Sequence, residues 1–184
     1  GANGGTTSAS LAFGGFLGGS SYSNSTEEWN KSANIITSDS WASGGNLGSS
    51  HYNRGGAGIQ TAALAFGGTA GLTAKTEEYN GSSWSEQNDL NTARLGMGGA
   101  GTQTAGLAFA GRLAAPPTTY KNETEEYDGS SWSEQNNLPC AKQKKGGCGI
   151  QTAGLPFGGT PTPPSVKREQ YDKDRSKFIS AGKG

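Results

Sequence analysis

Residues 101–136 read GTQTAGLAFAGRLAAPPTTYKNETEEYDGSSWSEQN, and residues 58–88 read GIQTAALAFGGTAGLTAKTEEYNGSSWSEQN. Both run through Gly-X-Gln-Thr-Ala, an apolar stretch ending in Phe, Thr-Glu-Glu-Tyr, a polar-Gly step and Ser-Ser-Trp. Within this unit the local signals are all β. Leu107-Ala108-Phe109 is a short apolar run stopped by small residues, as a buried strand would be. Asp128-Gly129 lies between two aromatic-bearing runs and accepts the positive φ angles of a tight hairpin turn; Asn80-Gly81 repeats it. No window carries a 3.6-residue apolar period. The unit reads as four strands: A around residues 101–105, B at 107–109, C at 124–127 and D at 132–136.

The unit occurs four times, which decides the architecture. Its opening recurs at residues 149–159 (GIQTAGLPFGG) and, degenerate, at residues 5–15 (GTTSASLAFGG). The acidic-aromatic element recurs as Thr26-Glu27-Glu28-Trp29, Thr76-Glu77-Glu78-Tyr79, Thr124-Glu125-Glu126-Tyr127 and a divergent Arg168-Glu169-Gln170-Tyr171. Strand D then brings Trp41, Trp84, Trp132 and, last, Phe178. The expected structural aromatics are therefore Trp29, Trp41, Tyr79, Trp84, Tyr127, Trp132, Tyr171 and Phe178. The units divide at residues 1–54, 55–97, 98–145 and 146–184, the last including a more charged, divergent tail.

Composition agrees once the repeat is recognised. Leu, Ile, Val and Phe are only 23 of 184 residues and 32 are Gly, a poor stock for an ordinary core. Disorder would also call for high net charge, whereas 15 basic residues balance 15 acidic ones. Sheets stacked face to face bury each other, and aromatic rings of about 150–250 Å² supply the bulk that aliphatic residues do not. Zero net charge argues against nucleic-acid or membrane-surface binding. No apolar run approaches the ~18 residues of a membrane helix. Starting at Gly1, the chain reads as a processed or partial product.

Four antiparallel strands in about 40–50 residues make a β-propeller blade. An apolar strand ending in Gly-Gly and followed by a Tyr and a Trp five apart, as in Phe66-Gly67-Gly68, Tyr79 and Trp84, resembles the kelch repeat. The pattern departs at Ala110 for Gly, Trp29 for Tyr and Phe178 for Trp. The resemblance implies an all-β fold, a small propeller of about four kelch-like four-stranded blades, closing alone or forming part of a larger ring or assembly.

Spacing shows where the repeat varies. The opening Gly lies 8 residues before the strand-B Phe in every copy, and each strand-D Trp lies 17 before the next opening Gly. Only the B–C connection (10, 7, 12 and 8 residues) and the C-to-D aromatic step (12, 5, 5 and 7) change. If the chain is kelch-like, the B–C and D–A loops share one face. That face would display Phe16, Tyr22, His51, Tyr52, Arg54, Arg112 and Tyr120. Either the loops are simply unconstrained, or this is a partner-binding face, for which Tyr and Arg are the apt residue types.

Chemistry for catalysis is short of parts. His51 is the single histidine, too few for a His-based metal centre or a hydrolytic triad. Gly96-Met97-Gly98-Gly99-Ala100-Gly101 matches a dinucleotide motif in letters, but such a motif needs a following helix. The Glu pairs cannot converge, because strand neighbours point to opposite faces. One of each, Glu77 and its equivalents, should share a face with the aromatic two residues on. They read as strand-face charges meeting Arg or backbone donors between blades, with calcium ligation as the alternative. Cys140 and Cys148 form a candidate disulfide if the medium is oxidising.

The wording QTAxLAFGG followed by TEEYNGSSW is similar to kelch-like repeats in phage and environmental bacterial surface proteins, which serve as tail, fibre or capsid-surface components. The resemblance implies a non-enzymatic structural and adhesion module, extracellular or on a virion surface, with no cofactor. Its expected partners are other structural subunits, copies of itself, or a surface glycan, with neither nucleic acid nor membrane insertion. The alternative is a secreted lectin-like propeller stacking sugar rings on Tyr22, Tyr52 and Tyr120.

Overall fold

The Asn-Gly and Asp-Gly steps do turn the chain. Asn80 Oδ1 accepts the amides of Ser82 and Ser83, both at 3.0 Å, while Gly81 takes φ 92°. Asp128 Oδ1 accepts those of Ser130 and Ser131 at 2.9 and 2.8 Å, with Gly129 at φ 93°. These donors hold the Asp128 carboxyl down to about 2, below its ordinary 3.8. Each turn sets Tyr opposite Trp: Tyr79 faces Trp84 and Tyr127 faces Trp132, and the same register pairs Trp29 with Trp41 and Tyr171 with Phe178.

A computed structural model describes the backbone of residues 2–5, 9–18, 21–30, 40–69, 71–114, 116–160, 169–172 and 177–180. It describes the side chains of residues 9–14, 23–29, 42–69, 71–114, 116–143 and 145–160. Among these residues the regular elements are all strands. β1 (Ala2–Gly5), β2 (Ala9–Gly18), β3 (Ser21–Asn30) and β4 (Ser40–Ser43) form one antiparallel sheet in chain order. β5 (Gly55–Ile59), β6 (Ala62–Phe66), β7 (Thr76–Tyr79) and β8 (Trp84–Gln87) form a second. β9 (Gly98–Gly101), β10 (Gly106–Phe109), β11 (Thr124–Tyr127) and β12 (Trp132–Gln135) form a third. In the fourth unit β13 (Gln143–Ile150) pairs with β14 (Ala153–Thr160), β15 (Glu169–Asp172) pairs with β16 (Lys177–Ser180), and β14 lies beside β15.

The fold is propeller-like and open. The innermost strands β1, β5, β9 and β13 neighbour one another in that order, and the sheets do not close into a ring. Glycine sets how near they come. A Cβ on Gly99 would lie 2.3 Å from the Gly56 carbonyl oxygen, and one on Gly147 would lie 2.4 Å from that of Gly99. No side chain fits between backbones at that range.

Strand A ends where the sequence reading started it. β9 stops at Gly101, whose φ of 97° turns the chain, and the Gln-Thr-Ala that follows is the A–B turn, closed by Thr102 N–H on Ala105 C=O at 3.0 Å. The two threonines suited a strand, and Gly101 alone carried the signal of a turn.

Adjacent sheets meet through aromatic rings. Trp84 lies edge-on to Phe13 of the preceding sheet, centroids 4.9 Å apart, and tilted against its own Tyr79 at 5.0 Å; Trp132 repeats this with Phe66 at 5.1 Å and Tyr127 at 5.0 Å. Each indole N–H donates backwards at 2.9 Å, Trp84 to Thr26 Oγ1 and Trp132 to Thr76 Oγ1. Each phenol reaches back too: Tyr127 OH donates to Glu78 at 3.0 Å, and Tyr79 OH to Glu28. Burial beside a carboxylate raises both phenols above the ordinary tyrosine range. Trp29 is half-buried, and the side chains of Trp41, Tyr171 and Phe178 lie outside the described residues.

Candidate interaction face

The B–C and D–A connections lie together on one side of the sheets. Backbone bridges join the first two D–A junctions to the B–C connection of the next sheet. Tyr52 and Thr69 exchange N–H···O bonds at 3.1 and 2.9 Å, and Leu95 and Arg112 do so at 3.1 and 3.0 Å. Arg112 is bridged on its other side to Tyr120, and Lys121 is bridged to Lys142 of the next junction. Arg112 therefore stands between two neighbours that fix its backbone, and its Nη1 donates to Leu113 C=O at 3.2 Å. Tyr52, Arg112 and Tyr120 are half-buried, and Ala114, Pro116, Pro117 and Thr118 form an exposed tip beside them.

Two residues expected on this face lie beneath it. His51 is 8% exposed and Arg54 is 7% exposed. Arg54 Nη1 pairs with Glu77 Oε2 at 3.2 Å, and Nη2 donates to the carbonyls of Ala65 and Lys75 at 3.4 Å. A buried carboxylate needs an opposite charge close by, and the D–A junction is the loop that reaches it. Burial, and then the Arg54 charge, lower the His51 pKa below its ordinary 6.5. Phe16 and Tyr22 pair with each other in the β2–β3 ladder, so their backbones extend a hairpin; their side chains lie outside the described residues.

The next junction solves the same problem from another position. Arg94 is fully buried, with Nη2 on Glu125 Oε1 at 2.7 Å and Nη1 on the carbonyls of Ala110 and Glu123 at 2.7 and 2.8 Å. Glu125 Oε2 also accepts the Asn91 amide at 2.7 Å. Counted from the opening Gly, Arg94 corresponds to His51, and Arg54 corresponds to Met97. The guanidinium thus enters at different steps along the two loops and reaches equivalent carboxylates.

The carboxylates of a pair diverge, as strand alternation requires. Glu77 shares a side with Tyr79 and turns to Arg54, while Glu78 faces the following sheet and takes the Tyr127 phenol. Among the described residues no group of three or more His, Cys, Asp or Glu side chains is placed to hold a metal ion. The glycines of residues 98–101 are β9, with no helix after them. Cys140 and Cys148 are exposed and free, so the candidate disulfide is not formed.

Sequence reasoning missed the glutamines of the A–B turns. Gln103 Nε2 donates to Tyr79 C=O of the preceding sheet at 2.7 Å, Gln151 to Tyr127 C=O at 2.7 Å, and Gln60 to Trp29 C=O at 3.2 Å. The signal was available: the first copy, which follows no other copy here, has Thr7 at this position.

Compared with known protein families and with curated proteins, the chain matches none.

Proposed function

We propose that this chain is a non-enzymatic structural and adhesion module of a virion or extracellular surface, docking on protein or host-surface partners through its loop face. One observation carries the reading. The blades spend their arginines, glutamates and aromatic rings on one another, while Arg112 and Tyr120 stand on the longest B–C connection, on the same face as Tyr52 of the D–A junction. Buried ion pairs and glycine-packed strands make a rigid frame; Tyr and Arg held at its rim are the residue types that carry binding energy in protein interfaces. The likeness of the repeat to kelch-like surface proteins supports the same reading. The alternative, a secreted glycan-binding propeller, draws on the two tyrosines Tyr52 and Tyr120 sharing that face.

The test is binding of the labelled chain to bacterial cells and to glycan arrays, wild type beside an Arg112→Ala/Tyr120→Ala variant whose circular dichroism is unchanged. Adhesion to cells that weakens at least about tenfold in the variant, and that is lost when the cells are treated with protease, supports the module reading. Tyr-dependent binding to isolated glycans replaces it with the lectin reading. No binding, or binding indifferent to both substitutions, overturns it.

A further inference from the structure

Asn80 sits in the β7–β8 turn with a glycine after it. Asn3 is the one other asparagine followed by glycine; the rest precede residues whose side chains crowd the next backbone nitrogen. Asn80 is exposed, and no acceptor among the described residues takes the Gly81 N–H. The Asn80 carboxamide oxygen, by contrast, is surrounded by donors. It accepts the amides of Ser82 and Ser83 at 3.0 Å and the hydroxyls of the same serines at 2.9 and 3.5 Å. Such donors draw electron density from the carbonyl and are in place to hold a negative oxygen, as an oxyanion hole does.

We propose that Asn80 is a self-modification site, converted to aspartate without an enzyme and kept in the same turn. The Gly81 nitrogen gives its proton to solvent hydroxide and attacks Asn80 Cγ, and the carboxamide oxygen takes up negative charge among the serine donors. As the carbonyl re-forms, the bond from Cγ to the amide nitrogen breaks. Ammonia leaves with a proton from water, closing a cyclic imide. Water then adds to the imide. Cleavage of the new N–Cγ bond restores the main chain with an aspartate side chain; cleavage at the other carbonyl reroutes the chain through an isoaspartate. The sum is amide plus water to carboxylate plus ammonium, with no change in oxidation state. Glycine permits the approach because it places no side chain beside the attacking nitrogen.

The next unit displays the seat of the product, because Asp128-Gly129 stands there in place of Asn80-Gly81 with the same contacts. Asp128 Oδ1 accepts the amides of Ser130 and Ser131 at 2.9 and 2.8 Å and their hydroxyls at 3.0 and 3.4 Å. The turns close alike, Asn80 N–H donating to Ser83 C=O and Asp128 N–H to Ser131 C=O, both at 3.2 Å. Gly81 lies over Thr61 as Gly129 lies over Thr104. An aspartate at residue 80 therefore needs no rearrangement and gains the donors that hold Asp128 ionised. An isoaspartate lengthens the main chain where there is no room: a Cβ on Gly45 of the preceding sheet would already lie 2.2 Å from the Ser82 carbonyl oxygen. The new negative charge falls at the end of the strands away from the loop face, so the modification stands apart from the proposed adhesion.

Incubation of the full chain at mildly alkaline pH, followed by peptide mapping and mass spectrometry, tests this with no adhesion target present; mapping separates Asn80 from Asn3. The folded chain should convert at Asn80, chiefly to aspartate. Ser82→Ala removes the hydroxyl donor at 2.9 Å and should slow the conversion about 2–10-fold. Asn80→Asp should unfold at the wild-type temperature, and its new carboxyl should titrate below the ordinary 3.8, as that of Asp128 does. An Asn80 that stays amidated in the folded chain while the urea-unfolded chain converts overturns the proposal. So does a rate that Ser82→Ala leaves unchanged or raises, an excess of isoaspartate, or an Asn80→Asp chain that is destabilised.

Discussion

Thr76 and Thr124 are equivalent, equally buried and predicted to respond oppositely to the same substitution. Thr76 Oγ1 accepts the Trp132 indole N–H at 2.9 Å, whereas Thr124 Oγ1 is buried with no hydrogen-bond partner. The sequence supplies the reason: at the position of Trp84 and Trp132 the fourth unit has Phe178, which has no N–H to give. Thr76→Val strands a buried donor and should cost about 1–3 kcal/mol. Thr124→Val removes a hydroxyl that was desolvated for nothing, so it should be neutral or stabilise by about 1 kcal/mol. The gap of roughly 2 kcal/mol corresponds to about 4–8 °C in Tm for a chain of this size, well within reach of urea and thermal unfolding followed by circular dichroism. Phe178→Trp places an indole opposite Tyr171 in the register of the other sheets and should stabilise by about 1 kcal/mol. That gain should vanish in the Thr124→Val background, since the acceptor is gone. Equal costs for the two valine variants, or a Phe178→Trp gain indifferent to Thr124, would refute the reasoning.

Other substitutions probe the remaining supports. Arg94→Met leaves Glu125 buried without its cation and should cost about 3–5 kcal/mol, read from the urea midpoint; a loss below about 1 kcal/mol would place Glu125 in water. Gly99→Ala puts a methyl 2.3 Å from the Gly56 carbonyl oxygen, so the A strands must part, and stability should fall by more than the ~1 kcal/mol typical of a point substitution. His51 should titrate below 6.5, and as the single histidine it gives one imidazole signal to follow by NMR. Because its folded pKa is depressed by burial, its contribution to stability is complete above 6.5 and declines as pH falls below that value. A midpoint at or above 6.5 would contradict its placement under the loop face.

Much of the architecture was legible because it is local. Asn80-Gly81 and Asp128-Gly129 define their turns within four residues, and those turns fix which aromatic faces which. The constant spacing from opening Gly to Phe carried the repeat. What misled the reading was local as well: the small, β-branched composition of residues 101–105 suited a strand, yet Gly101 with its positive φ made it a turn.

By itself, then, the sequence determined that the chain is all-β, that it repeats four times, and which rings belong together, since each of these depends on contacts only a few residues apart. Tertiary structure alone decided which side chains are available to a partner. Arg54 and His51 sit in a D–A junction and look displayed, but the Glu77 carboxylate of the adjoining sheet needs a charge and draws Arg54 under the loops. Phe157 is written like Phe13 and Phe66, yet it is 49% exposed where they are buried. Exposure is a property of neighbours far away along the chain, and no window of residues contains it.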